Sequence, residues 1–239
     1  MYRTIRTALG SYLFIIMIIV PIFTASLFKR TGDLPHVMAR HWAQFTLSCA
    51  ETRVNVNGSE NIPAGPVIYM ANHSSFFDVF AILGHLNVQF KWIVKQELFR
   101  VPLLGFAMKR SGYIPIDRGN HKKAIESIDL AEEKIRSGIS IVIFPEGTRS
   151  EDDSLLYPFK KGGFHLALRS KVPIIPITIL GSRDILPKGG RIIKPGTIKL
   201  VIGKPIYPDG YEVDSLMEEV YRLIKLPMTP CSRVDSELT

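Results

Sequence analysis

The sequence predicts an α/β protein with a largely parallel central sheet flanked by helices, preceded by an N-terminal, membrane-associated helical anchor. After residue 61, short apolar runs alternate with stretches of helical periodicity, which is the pattern of βα units. Several of these runs are almost continuously apolar, as expected for parallel strands buried on both faces. Before that point a long uncharged segment leads into an amphipathic one, which indicates a separate N-terminal element.

The first predicted element is an apolar helix at residues 8–28, which carry no charge. At about 1.5 Å per residue this helix would be about 31 Å long, close to the thickness of a bilayer core. Arg3 and Arg6 precede it and basic residues also follow it, so the positive-inside rule leaves the orientation undecided. Pro21 would kink the helix without preventing a span.

A second, amphipathic helix is predicted at residues 36–50, where Trp42 lies among mixed polar and apolar side chains. This segment is too polar to cross a membrane but suits the headgroup layer. Two arrangements remain open: a span that leads into an interfacial helix, or a two-helix anchor that dips into one leaflet. The alternative is a buried core helix. The predicted organisation is a membrane anchor at residues 1–58 and an α/β domain at residues 59–239.

Strands and helices alternate through the predicted α/β domain. Strands are predicted at residues 66–71, 90–94, 111–117, 139–147, 172–180 and 196–206, and helices at residues 121–138 and 162–170. Gly138 ends the first of these helices, as glycine commonly does at a helix C-terminus. Because binding groups in such sheets cluster beyond the carboxyl ends of the strands, we expect His73 and residues 144–150 to share one rim.

The composition limits the class of partner. Lys and Arg number 30 against 22 Asp and Glu, which gives a formal charge of +8. This excess favours an anionic partner such as a phosphate substrate, an acidic carrier protein or an anionic lipid surface. The basic residues are dispersed, without zinc-finger spacing, so binding to nucleic acid is not indicated. The two cysteines lie far apart and form no CxxC, so no metal cluster is predicted.

The stretch YMANHSSFFDVF places His73 five positions before Asp78, directly after a predicted strand. Side chains five apart on one continuous helix point about 140° apart, so contact requires His73 in a loop and Asp78 in the first helical turn. In one interpretation Ser75 is an N-cap, Asp78 completes a capping box, and His73 is a polar loop residue. In the other, Asp78 accepts the Nδ1–H of His73 and leaves Nε2 as a base.

A base of this kind needs a nucleophile. Ser74 and Ser75 are too close to His73 in sequence to be presented to its ring, and no G-x-S-x-G elbow occurs in the chain. The attacking hydroxyl would therefore belong to a substrate. This indicates acyl transfer rather than hydrolysis.

Three cationic residues follow predicted strands and could form an anion site. Arg149 follows Gly147, whose missing side chain lets the backbone approach a ligand. Arg118 and Lys95 each follow another strand. Guanidinium groups suit phosphate, and neither a P-loop nor a G-x-G-x-x-G is present. The expected ligand is therefore a phosphate group that does not belong to a nucleotide.

Four short blocks occur together in the chain. They are NHSSFFD at residues 72–78, GYIPIDR at residues 112–118, FPEGTRS at residues 144–150 and VPIIP at residues 172–176. With these blocks in this order, the chain resembles the PlsC-type glycerolipid acyltransferases, specifically the 1-acylglycerol-3-phosphate acyltransferases. The resemblance covers about residues 60–205 and does not include the N-terminal segment.

The resemblance implies that a fatty acyl group is transferred from a thioester to the sn-2 hydroxyl of lysophosphatidate, giving phosphatidate. It implies that His73, oriented by Asp78, is the general base. The residues that it implies for the substrate phosphate are Lys95, Arg118, Glu146, Gly147, Thr148 and Arg149. The acyl donor would be a co-substrate, either an acyl carrier protein or a coenzyme A thioester, with no further cofactor and no metal.

The resemblance also implies a function for the N-terminal anchor, which would hold the enzyme at the bilayer that contains the acceptor, while the thioester arrives from the cytosol. The expected location is the inner, cytoplasmic membrane, with the active site facing the cytoplasm. A related acyltransferase acting on glycerol-3-phosphate or another lysolipid remains an alternative, as does a membrane lipid-binding protein without catalysis.

Overall fold

The computed structural model describes residues 1–27, 34–152 and 154–229. The strands are β1 (Thr52–Asn57), β2 (Ile68–Ala71), β3 (Phe90–Lys95), β4 (Ile114–Ile116), β5 (Ser140–Ile143), β6 (Ile174–Leu180) and β7 (Gly196–Ile202). The α-helices are α1 (Tyr2–Leu27), α2 (Leu34–Cys49), α3 (Phe77–His85), α4 (Leu104–Arg110), α5 (His121–Arg136), α6 (Gly162–Ser170), α7 (Ser182–Ile185) and α8 (Val213–Lys225). Short 3-10 helices occur at Ser59–Asn61, Gln96–Arg100 and Leu226–Met228.

The described strands form one sheet in the order β1-β7-β6-β2-β5-β3-β4. Strands β6 and β7 pair antiparallel, and the other neighbouring pairs are parallel. The predicted α/β architecture with a largely parallel sheet is therefore confirmed. Strand β2 lies between β6 and β5 and runs parallel to both. The loop that follows β2 therefore lies at the same edge of the sheet as the loops that follow β6 and β5.

Helices cover both faces of the sheet, and the sheet separates two layers of hydrophobic core. Strand β2 illustrates the division, because Tyr69 faces one layer and Met70 faces the other. The layer around Tyr69 is closed by α2, α3 and α7, and the layer around Met70 by α5, α6 and α8. Successive strand residues point to opposite faces, so strands buried on both sides are apolar throughout. This burial accounts for the continuous apolar runs in the sequence.

Strand β1 was not predicted, and it lies before the predicted domain boundary. Its residues pair in parallel register with β7, from Thr52 opposite Gly196 to Asn57 opposite Val201. The segment predicted as the anchor, residues 1–58, therefore includes a strand that belongs to the sheet. Polar residues alternate with apolar ones in TRVNVN, as suits an edge strand that is buried on one face only.

The two N-terminal helices pack against each other. The Nε1–H of Trp42 donates to the carbonyl oxygen of Ser11 at 3.1 Å, and the rings of Phe14 and Phe45 stack with centroids 4.8 Å apart. Helix α1 begins at Tyr2, six residues before the predicted start at residue 8, and residue 28 lies outside the described residues. The predicted helix at residues 36–50 corresponds to α2.

The structure changes the interpretation of α2. Ala43 and Leu47 are buried in the layer that α2 shares with α3, and Gln44 donates to the carbonyl oxygen of Gly84 at 2.8 Å. One face of α2 is therefore part of the protein core rather than a free surface in the headgroup layer. Among the helices of the described residues, none combines the length and the hydropathy that crossing a bilayer requires.

Asn72 connects the end of β2 to β6. Its side-chain amide donates to the carbonyl oxygen of Ile179 at 2.9 Å, and its side-chain oxygen accepts from the Ile179 N–H at 2.7 Å. The residue is 4 % exposed, so neither backbone group of Ile179 has water as a ready substitute partner. This pair of hydrogen bonds fixes the point at which the chain leaves β2 and enters the loop that carries His73.

We expect Asn72→Ala to lower the free energy of unfolding by about 3 kcal/mol, because it leaves two buried backbone groups unsatisfied. Urea denaturation followed by circular dichroism measures the loss. Asn55→Ala is the matched control, because Asn55 is exposed on β1, and its effect should stay within about 0.5 kcal/mol. Equal stability of the two variants would contradict this assignment.

Candidate active site

His73 and Asp78 lie in the turn that joins β2 to α3. Strand β2 ends at Ala71 and α3 begins at Phe77, so His73 is in the loop and Asp78 in the first helical turn. The Nδ1 of His73 lies 2.8 Å from Oδ2 of Asp78. This is the arrangement that contact at a spacing of five residues requires.

One oxygen of Asp78 organises the whole turn. Besides the His73 ring, Oδ2 accepts the backbone N–H groups of Ser74 and Ser75, each at 2.8 Å. Asp78 is fully buried, and it satisfies these donors where water cannot. The capping and the catalytic interpretations of the sequence therefore describe the same carboxylate.

The helix start differs slightly from the prediction. A Ser75 N-cap would begin α3 at Phe76, whereas the helix begins one residue later, at Phe77. The hydroxyl of Ser75 nevertheless accepts the Phe77 N–H at 3.1 Å and donates to the carbonyl oxygen of Leu186 at 2.7 Å. The hydroxyl of Ser74 lies 3.2 Å from that of Ser182. Both serine hydroxyls have partners other than the His73 ring, in agreement with the prediction that no serine nucleophile is presented there.

The Nε2 atom of His73 is left as a hydrogen-bond acceptor. A carboxylate only accepts, so Nδ1 carries the proton, and a neutral imidazole then has its lone pair on Nε2. The ring stacks on Phe144, with centroids 4.0 Å apart and planes 9° apart, and 15 % of the side chain is exposed. His73 lines the cavity described below, so its base has access to a bound ligand.

Glu146 has a different place from the predicted one. Its Oε1 accepts the backbone N–H of His73 at 2.5 Å, and its Oε2 accepts that of Leu156 at 3.0 Å. The carboxylate is 5 % exposed and is not part of the cavity lining. The prediction placed Glu146 at the substrate phosphate, whereas in the structure it lies outside the cavity lining. Glu146 instead fixes the backbone of His73 through this hydrogen bond. Burial raises the pKa of its carboxyl to about 7.

The other five residues predicted for the phosphate site do line one cavity together. They are Lys95, Arg118, Gly147, Thr148 and Arg149. Arg118 donates from Nη1 to the carbonyl oxygen of Gly147, and the Arg149 guanidinium lies 4.0 Å from the centroid of the Phe76 ring. Arg149 is therefore oriented by an aromatic face and keeps its donors for a ligand. The cationic side chains therefore line the same cavity as His73.

The cavity has a volume of about 660 Å³ and continues into apolar surroundings. Phe76, Val79, Phe80 and Leu83 line it along α3, and at about 1.5 Å per residue these positions extend over about 10 Å of the helix axis. Residues from α1, α2 and α4 also line the cavity, among them Ile15, Ala39, Trp42, Leu104 and Met108. Lys95 and Thr148 of this lining are exposed, whereas Ile15, Leu83 and Met108 are buried, so the lining is polar where it is open to solvent and apolar where it is closed.

Sequence reasoning missed most of this lining. No role was predicted for Phe144, although it belongs to the block FPEGTRS, and no lining residues were predicted from α1, α2 and α4. An apolar residue that faces a cavity has the same sequence pattern as one that faces the core. Phe76 is 49 % exposed and lies against the Arg149 guanidinium, but nothing in the sequence distinguishes it from a phenylalanine of the core.

Comparison with known proteins agrees with this geometry. The family described as "Acyltransferase" matches residues 53–180, which is more than half of the chain. The chain belongs to this acyltransferase family. The match begins within β1 and ends with β6, so it contains the His73 turn, the cationic residues and Glu146.

Individual relatives share this family. A chloroplastic 1-acyl-sn-glycerol-3-phosphate acyltransferase from Brassica napus is 36 % identical over 77 % of this chain and 53 % of the relative. A 1-acyl-sn-glycerol-3-phosphate acyltransferase from Pseudomonas aeruginosa is 32 % identical over 72 % of this chain and 68 % of the relative. The alignment therefore spans about half the length of the plant relative.

A solved structure extends the comparison to the whole fold. The crystal structure of the 1-acyl-sn-glycerophosphate acyltransferase PlsC from Thermotoga maritima superposes with a TM-score of 0.75 at 27 % identity. The superposition covers 93 % of this chain and 95 % of that chain, so it is not confined to the residues that match the family.

The buried carboxyl of Glu146 predicts a pH-dependent stability. Its pKa of about 7 in the folded protein exceeds the ordinary value of 4.5, so the folded state holds this proton more tightly than the unfolded chain. The resulting stabilisation is fully present below about pH 4.5 and is lost as the pH rises to about 7. We expect wild-type protein to lose stability over this range relative to Glu146→Gln, which has no proton to lose.

Urea denaturation of both proteins at pH 5 and pH 8 measures this difference. Glu126→Gln is the control, because Glu126 is exposed on α5, and its difference from wild type should stay constant with pH. A constant difference for Glu146→Gln as well would show that this carboxyl does not titrate in the folded protein as described.

Proposed function

We propose that the protein transfers a fatty acyl group from an acyl thioester to the sn-2 hydroxyl of lysophosphatidate, giving phosphatidate. The observation that carries this proposal is the opening of the His73 ring into a cavity whose mouth is cationic and whose interior is apolar. Lysophosphatidate and an acyl thioester together present a phosphate, a hydroxyl and a long hydrocarbon chain. The names of the plant and bacterial relatives support the same acceptor.

The chemistry needs one base and good positioning. Nε2 of His73 takes the proton of the sn-2 hydroxyl as its oxygen forms a bond to the thioester carbonyl carbon. The tetrahedral intermediate collapses with cleavage of the carbon–sulfur bond, and the departing thiolate recovers the proton from the imidazolium. Asp78 stabilises that imidazolium through Nδ1. No acyl-enzyme is required, because the thioester is already activated and the site supplies orientation.

The cations fix the acceptor relative to the base. Arg118 and Arg149, with Lys95, hold the lipid phosphate at the mouth of the cavity, where charge-assisted hydrogen bonds are strong. Gly147 and Thr148 shape the same wall. The apolar interior along α3 receives an acyl chain, and its volume of about 660 Å³ falls within the usual range for ligand cavities, about 300–1,000 Å³.

A membrane surface is the proposed partner of α1. One side of this helix exposes large apolar side chains, which are Tyr2, Ile5, Leu9, Tyr12, Leu13, Ile16 and Met17. The opposite side contributes Ile15 to the cavity wall, so lipid on the exposed face would lie one helix away from the acyl site. We place the protein at the inner, cytoplasmic membrane with its active site towards the cytoplasm, where acyl carrier protein and coenzyme A thioesters are available.

The test uses membranes from cells that express the full chain, supplied with lysophosphatidate and labelled acyl carrier protein or coenzyme A thioesters. We expect phosphatidate to form, and His73→Ala to lower the rate by a factor of about 10²–10⁴, the usual contribution of a general base. His165→Ala is the matched control, because His165 is exposed on α6, and its rate should equal that of wild type.

Each outcome decides a different part of the proposal. Phosphatidate that still forms at the wild-type rate in His73→Ala would contradict the role of the base. No product from lysophosphatidate, with product from glycerol-3-phosphate or another lysolipid, would contradict the acceptor. Binding of lysophosphatidate without any transfer would favour a lipid-binding protein. The better of the two thioesters identifies the acyl donor.

A further inference from the structure

Lys160 lies beside the anion site, although it belongs to none of the four sequence blocks. Its backbone N–H donates to the carbonyl oxygen of Pro145 at 2.8 Å. A second hydrogen bond fixes the segment that leads to Lys160, because the Leu156 N–H donates to Oε2 of Glu146 at 3.0 Å. These two contacts fix the position of Lys160 relative to the turn that carries Gly147.

The stem of Lys160 fills the space that a side chain at Gly147 would occupy. Gly147 has a φ of +73°, and a Cβ built on it would lie 3.2 Å from Cγ and 3.5 Å from Cε of Lys160. Arg118 approaches the same glycine from the cavity, because its guanidinium donates to the Gly147 carbonyl oxygen. The side chains of Arg118 and Lys160 therefore both lie next to Gly147.

The ammonium group of Lys160 is available for a ligand. Lys160 is exposed and has no carboxylate within ion-pair distance among the described residues. Its neighbour Lys161 differs in this respect, because its Nζ lies 2.6 Å from Oδ1 of Asp214. Lys95 of the cavity lining also has a carboxylate partner, because its Nζ lies 3.6 Å from Oε1 of Glu97. A cation held close to other cations, without a carboxylate partner, is suited to an anionic ligand.

We infer that Lys160 is a fourth phosphate-binding cation, placed at the outer rim of the site next to Gly147. The inference rests on the proposed function, in which both substrates carry phosphate. Lys160 is not part of the cavity lining, so it reaches the ligand from the solvent side. The phosphate that it contacts belongs either to the lysophosphatidate headgroup or to the phosphopantetheine portion of the thioester donor.

The experiment compares three variants of the purified full chain. Lys160→Met removes the charge and keeps a stem of similar size against Gly147, and Lys160→Arg keeps the charge. Lys161→Met is the matched control, since it removes the neighbouring charge, which is paired with Asp214. Steady-state rates are measured while each substrate is varied in turn, and thermal denaturation monitors folding.

We expect Lys160→Met to raise the KM of one substrate about tenfold, as loss of a charge-assisted phosphate contact does, with little change in kcat or Tm. Lys160→Arg should restore the KM to within about threefold, and Lys161→Met should resemble wild type. A rise confined to lysophosphatidate identifies the acceptor phosphate, and one confined to the thioester identifies the donor phosphate. An unchanged KM for both substrates, or an equal effect of Lys161→Met, would overturn the inference.

A binding measurement separates this inference from the proposed reaction. Isothermal titration with glycerol-3-phosphate and with coenzyme A reports phosphate binding without turnover. Weaker binding of either probe by Lys160→Met than by Lys161→Met supports the inference even if wild-type protein forms no phosphatidate, an outcome that would reject the proposed function alone. Equal binding by the two variants would reject the role of Lys160.

Discussion

The active site depends on one buried oxygen atom, Oδ2 of Asp78, which accepts three N–H groups from the turn between β2 and α3. Two of these donors are backbone groups, so the carboxylate sets the path of the chain as well as the orientation of the His73 ring. A change at Asp78 would therefore alter geometry and electrostatics together. The fixed tautomer follows from this contact, because the donation from Nδ1 leaves the lone pair of Nε2 for the ligand.

The sheet order supplies the second support of His73. Strand β2 has β6 on one side and β5 on the other, so Asn72 reaches β6 while Glu146, which follows β5, reaches the His73 N–H. The Ser150 N–H also donates to the His73 carbonyl oxygen, at 2.8 Å. The histidine is held through its ring and through both of its backbone groups. The same loop after β5 presents Gly147 and Arg149, which couples the base to the anion site.

The sequence predicted the parts of the site whose chemistry is local. The pairing of His73 with Asp78 follows from loop and helix geometry, and cations that follow parallel strands converge on one rim. Glu146 could not be assigned in this way, because a carboxylate after a strand can face a ligand or accept backbone N–H groups. Strand β1 was missed because its half-polar edge pattern is weak, and the cavity wall from the N-terminal helices was missed because lining and core residues share one pattern.

The role of His73 as the base is tested most directly by the protonation pattern of its ring, measured by ¹⁵N–¹H NMR of histidine-labelled protein at neutral pH. The signal is assigned among the six histidines by its absence in His73→Gln. We expect a proton on Nδ1, shifted downfield by its hydrogen bond to Asp78, and an unprotonated Nε2. Asp78→Ala should abolish the downfield signal. A proton on Nε2 with a bare Nδ1 in the wild-type protein would contradict the assignment of His73 as the base.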